Sequence, residues 1–80
     1  MTGYALYDAS NNRLEVIRPG ETMKRHIPCL NLYPSADKVH GLQISGDEIW
    51  VFVGPHSNPM PNRKIIYRFS SLSGGGSTGL

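Results

Sequence analysis

Apolar and polar residues alternate along most of this chain with a period of two, the signature of strands. Gly3 to Tyr7 and Arg13 to Arg18 flank Asp8-Ala9-Ser10-Asn11-Asn12. Asp, Ser and Asn offer local acceptors and tolerate left-handed backbone, so the segment predicts a β-hairpin with a four- or five-residue loop. Leu14 and Val16 share one face of its second strand and Glu15 and Ile17 the other. Pro19-Gly20 ends that strand. Lys24 to Leu32 predicts a third, irregular strand, where Pro28 removes a ladder donor and implies an edge or a bulge.

The strongest hairpin signal follows. Gly41-Leu42-Gln43-Ile44-Ser45 alternates, and Gly46-Asp47 places glycine first in the turn, as a type II′ turn requires. Glu48 to Val53 is apolar on both faces, with Ile49, Val51 and Val53 on one and Trp50 and Phe52 on the other. Such a strand expects burial on both sides. The loop Gly54 to Asn62, stiffened by three prolines, leads to Arg63–Phe69. There Ile65, Tyr67 and Phe69 share one face, and Lys64, Ile66 and Arg68 the other.

Helical spacing is broken by Pro or Gly in every window. The best fragment, Ser35 to Val39, follows Pro34 and is stopped by Gly41, which allows one turn at most. The expected fold is all-β: a small bent antiparallel meander sheet or partly open barrel of four or five strands, with no long helix. Residues 1–72 are expected to form a single β domain, and the Gly/Ser-rich residues 73–80 a flexible tail.

Composition sharpens this picture. With 80 residues, 39% apolar and 18% charged, the chain can build a core, but a thin one. One cysteine, Cys29, excludes an intramolecular disulfide. The longest apolar run, Ile49 to Val53, is far short of the roughly 20 residues of a membrane-spanning helix. The N-terminus has neither a basic nor an apolar targeting region. Together these lead to an expectation of a reducing, cytoplasmic setting.

Chemistry-bearing residues are sparse. His26-Ile27-Pro28-Cys29 has one His-x-x-Cys spacing where zinc sites show two pairs, so no metal site is expected. Cys29, between Pro28 and Leu30, suits a small buried hydrophobe. Asp47 and Glu48 are adjacent, so on a strand or turn they point apart and do not form an acid–base pair. Gly74-Gly75-Gly76 lacks the lysine and helix of a phosphate loop. No catalytic residue and no cofactor is expected.

The remaining candidates concern binding. The Trp50 and Phe52 face needs a cover that one small sheet does not provide. His56 and Met60 lie in the proline-restricted loop, whose restriction lowers the entropy cost of recognition. Lys24 and Arg25, together with Arg63, Lys64 and Arg68, would merge into one basic patch if the last strand lay near the third. The net charge of +2 is modest. The sequence therefore predicts a non-catalytic protein-interaction or structural module, an accessory subunit completing its core against another chain or against itself. The alternative is a small β-barrel that binds single-stranded nucleic acid through a basic and aromatic face.

Overall fold

The computed structural model describes residues 2–79, with only the backbone of residues 73–78. It is all-β, with seven strands in chain order: β1 (Tyr4–Asp8), β2 (Arg13–Ile17), β3 (Lys24–Pro28), β4 (Asp37–Ser45), β5 (Glu48–Pro55), β6 (Arg63–Arg68) and β7 (Ser71–Gly79). No helix among the described residues is long and apolar enough to cross a membrane.

The strands form two antiparallel sheets, each a plain meander: β1-β2-β3 and β4-β5-β6-β7. The all-β class and the meander order are as the sequence pattern predicts. The count is higher than four or five, and the strands do not share one bent sheet. The eight residues 29–36 between β3 and β4 explain the difference. A tight hairpin keeps two strands in one sheet, whereas this longer connection lets the chain cross to the opposite layer. There β1 packs against β4 and β3 against β7.

The predicted face assignments hold. Leu14, Val16 and Ile27 from the first sheet meet Ile49, Val51, Val53, Ile65 and Tyr67 from the second, all at most 1% exposed. Cys29, Leu32 and Phe69 complete the buried cluster. At roughly 1.5–3 kcal/mol for each large aliphatic or aromatic side chain buried, this shared layer is the main term holding the sheets together.

Local chemistry sets the connections. Ser10 N–H and Asn11 Nδ2 donate to the Asp8 carboxylate at 3.1 and 2.8 Å, closing the β1–β2 loop. Gly46 has φ +59° and Asp47 does not share a positive φ, the combination of a type II′ turn. The third strand stops at Pro28, and residues 29–32 continue as loop while Cys29 and Leu32 dip into the core. Ser35 to Val39 does not extend as a helix. Ala36 and Asp37 both donate to the Tyr33 carbonyl at 2.8 Å, making one turn, and Asp37 already begins β4. The segment 73–80, expected as a tail, runs through residue 79 as the edge strand β7 beside β6. Residue 80 lies outside the described residues.

Alternating strand direction sorts the connections by end. The β1–β2, β3–β4 and β5–β6 loops gather at one end of the sandwich. The two-residue turns Gly46-Asp47 and Phe69-Ser70 lie at the other, with the β2–β3 connection.

Candidate binding face

Residues that alternate away from the core form the outer face of the four-stranded sheet. Register places Gly41, Gln43 and Ser45 of β4 opposite Phe52, Trp50 and Glu48 of β5. Those three face Lys64, Ile66 and Arg68 of β6 in turn. Lys38 pairs with Gly54 on the same side, past a bulge between Val39 and Gly41.

At the centre, Trp50 and Phe52 stand half-buried with ring centroids 6.4 Å apart and planes at 84°, an edge-to-face pair. Lys64 Nζ lies 4.0 Å from the centroid of the Trp50 ring. The indole Nε1–H donates to Glu48 Oε1 at 3.0 Å, and Arg68 Nη2 meets Glu48 Oε2 at 2.9 Å. The indole is thus held at its nitrogen by Glu48 and packed edge-to-face with Phe52, while the Lys64 head lies over its face.

The five basic residues do not form one patch. Lys24 and Arg25 lie on β3 in the opposite sheet, because β6 pairs with β5 and β7 rather than lying near β3. Lys24 Nζ is 3.7 Å from Glu15, and Arg25 is 3.4 Å from Glu21. Arg63 belongs to the core-facing row of β6. Its guanidinium donates to Asp37 Oδ2 at 2.8 Å and to the Asn31 carbonyl at 3.0 Å. Lys64 and Arg68 alone of the five share the Trp50 face.

The loop end holds the other candidates. The His56 ring donates from Nε2 to the Pro34 carbonyl at 2.9 Å, fastening the proline-rich loop to the β3–β4 connection. Met60 is 69% exposed, as are Leu30 at 74% and Tyr33 at 65% in the neighbouring loop. A cleft of about 300 Å³ opens there, lined in part by Tyr7, Pro34, Val39 and His56. The hydrogen bond from Arg63 holds the Asp37 carboxyl below the usual carboxylate range. Burial pushes the Cys29 thiol up, as expected for a small buried hydrophobe and opposite to what a nucleophile needs. Among the described residues, no group of three or more His, Cys, Asp or Glu side chains is placed to hold a metal ion.

Two contributors escaped the sequence pattern. Lys38 was hidden in the fragment assigned to a helical turn; allowing one bulge at His40 would have extended the alternation back to it. Asn12, at φ +49°, ties three segments together. It accepts from the Tyr7 hydroxyl at 2.9 Å and donates to the Cys29 and Leu32 carbonyls, both at 3.2 Å. Its place at the end of an Asx-rich loop signalled a turn but not its distant partners.

No protein-family model matches the chain, and no curated protein or solved structure matches it.

Proposed function

We propose that this protein is a non-catalytic interaction module that takes an anionic partner on the outer face of its four-stranded sheet. The observation that carries the reading is the composition of that face. An oriented Trp50 and Phe52 pair is bordered by Lys64, Arg68 and Lys38, with Glu48 the one acid among the described residues of the face. One motive for expecting a partner was a core left open, and the three-stranded sheet already covers the core side of β5. The other side carries aromatic surface together with basic side chains. Fixed rings lose little freedom on binding, and surplus positive charge speeds encounter with anions.

Trp50 is the chain's only tryptophan, so its emission reports on this face directly. Titration with polyanions, polyglutamate and an oligonucleotide among them, is expected to change that emission saturably for at least one of them. The midpoint is expected to rise as salt is added. Unchanged emission with every polyanion at low salt would overturn the reading.

A second reading, self-association, is favoured by Leu30, Tyr33 and Met60, three large exposed apolar side chains on two loops at one end. Light scattering across concentration tests it. Mass is expected to rise for the wild type and to stay at one chain for Tyr33→Ser/Met60→Ser. A wild type that remains a single chain at every concentration removes this reading.

A further inference from the structure

We infer that the anionic partner enters as an extended acidic peptide segment, pairing antiparallel with the free edge of β4 as a fifth strand of the four-stranded sheet; this rests on the anionic partner proposed above. β5 pairs with one side of β4, and no strand among the described residues pairs with the other. β4 spans nine residues, and residues 39–45 include no lysine, arginine, acid or proline. Edges that stay unpaired normally carry such residues. β3, an edge of the other sheet, has them in Lys24 and Arg25 and in Pro28, which lacks a donor. The bulge between Val39 and Gly41 confines regular pairing on β4 to residues 41–45.

The ladder fixes which main-chain groups are free. A two-residue turn bonds the residues that flank it, Ser45 and Glu48, and bonding alternates along the pair, so Gln43 and Gly41 also bond to β5. Leu42 and Ile44 therefore direct their N–H and C=O groups outward. Their side chains face the core but are only partly buried, although their ladder partners Val51 and Ile49 are fully buried. An added strand satisfies those groups and closes that apolar row together. A nucleic acid has no such ladder to offer.

Side chains of the added strand alternate between two environments. Those on the core side continue the row of Leu42 and Ile44 toward the cleft of about 300 Å³ at the loop end, lined in part by Tyr7, Ala9, Pro34 and Val39. Apolar side chains suit that row. Those on the outer side pass Ser45, Gln43 and Gly41, none of them charged, and reach Lys38, which has no ion pair among the described residues. Acidic side chains complement it there. The β4 edge of a second copy, residues 38–45, contains no acid to meet Lys38.

The test is fluorescence anisotropy of a short labelled peptide alternating Glu and Val, and saturable binding is expected. In antiparallel pairing the residues opposite Leu42 and Ile44 are the valines, and these bond to β4. N-methylation of the valines is therefore expected to weaken binding by about tenfold or more, and N-methylation of the glutamates to leave it nearly unchanged. These peptides leave the protein itself untouched, so folding does not confound them. Lys38→Glu is expected to weaken the Glu-Val peptide roughly 2- to 10-fold and to favour a Lys-Val peptide instead. Lys24→Glu, on the other sheet, is expected to leave the original preference in place. Equal effects of the two methylations, or a larger effect at the glutamates, overturn the inference, as does an unchanged preference in Lys38→Glu. No binding of the Glu-Val peptide, with Trp50 emission still shifted by an oligonucleotide, overturns it and leaves the binding face standing. No response to either ligand removes both.

Discussion

On the outer face of the three-stranded sheet, Glu15 stands between Lys24 and His26 at 3.7 and 3.3 Å, and Asp8 holds Arg13 at 3.3 Å. On the outer face of the four-stranded sheet, Glu48 is the one acid among the described residues beside Lys38, Lys64 and Arg68, and the central positions are taken by Trp50 and Phe52. Both faces derive from the same period-two alternation. They differ in the edge-to-face aromatic pair at the centre of the second face. Glu15 lies directly opposite His26 and Asp8 opposite Arg13 in the first sheet, and Glu48 opposite Arg68 in the second. Lys64 lies opposite Phe52 and stands over the Trp50 ring. Cross-strand register decides what each cation meets: a carboxylate at Arg13 and Arg68, a ring at Lys64.

This comparison presumes two sheets that share one core, and the largest test addresses that. Leu14→Ala in the first sheet and Ile65→Ala in the second are each expected to cost about 2–5 kcal/mol in urea unfolding, because both side chains are fully buried in the same layer. A far smaller loss for Leu14 would mean that the first sheet is not part of the cooperative core.

The next effect lies where the chain entering β1 meets the end of β6. A Cβ on Gly3 would lie 2.5 Å from the buried Phe69 ring. Gly3→Ala is therefore expected to cost roughly 1–3 kcal/mol. Gly3→Ala/Phe69→Leu is expected to recover part of that loss, and no recovery would place the strain elsewhere.

Acid titration probes the clamp at the loop end. Because the folded state lowers the Asp37 carboxyl, its ion pair with Arg63 contributes fully above the ordinary carboxylate value. That contribution is lost as pH falls through the lower, folded value. Stability of the wild type should therefore drop as pH goes below about 4, and Asp37→Asn should flatten this part of the profile. An unchanged acid limb would mean that other carboxylates control it.

A smaller change sharpens the contrast between the faces. Glu15→Gln leaves Lys24 and His26 without their acid, on a face where Tyr4 stands in place of the Trp50 and Phe52 pair. Stability is expected to shift by no more than about 0.5 kcal/mol. Polyanions are expected to bind slightly better, with no added change in Trp50 emission. A large gain in quenching would show that binding does not need the Trp50 and Phe52 pair.

Ending the chain at Ser73 is expected to have the least effect. Most of β7 is Gly and Ser, and each residue ordered costs about 1–2 kcal/mol of backbone entropy against roughly 0.5–1.5 kcal/mol for a ladder hydrogen bond. Cooperative unfolding is expected to persist with little change in midpoint. Loss of cooperativity would make β7 an integral strand.

Much of the local structure was legible before any coordinates. The alternation assigned Leu14, Val16, Ile49, Val51, Val53, Ile65, Tyr67 and Phe69 to one interior and Trp50, Phe52, Lys64 and Arg68 to the opposite side. Gly46-Asp47 specified its turn. These follow from stereochemistry within a few residues, because a strand must point successive side chains to opposite faces. The tertiary structure alone decided that the meander divides into two sheets after β3. That division sends Lys24 and Arg25 away from Lys64 and Arg68, and the β4–β5–β6 pairing draws Arg63 to Asp37. Such partnerships depend on which strands become neighbours when the apolar rows close on one another. That choice is made by burial summed over residues distant in the chain, and no local spacing records it.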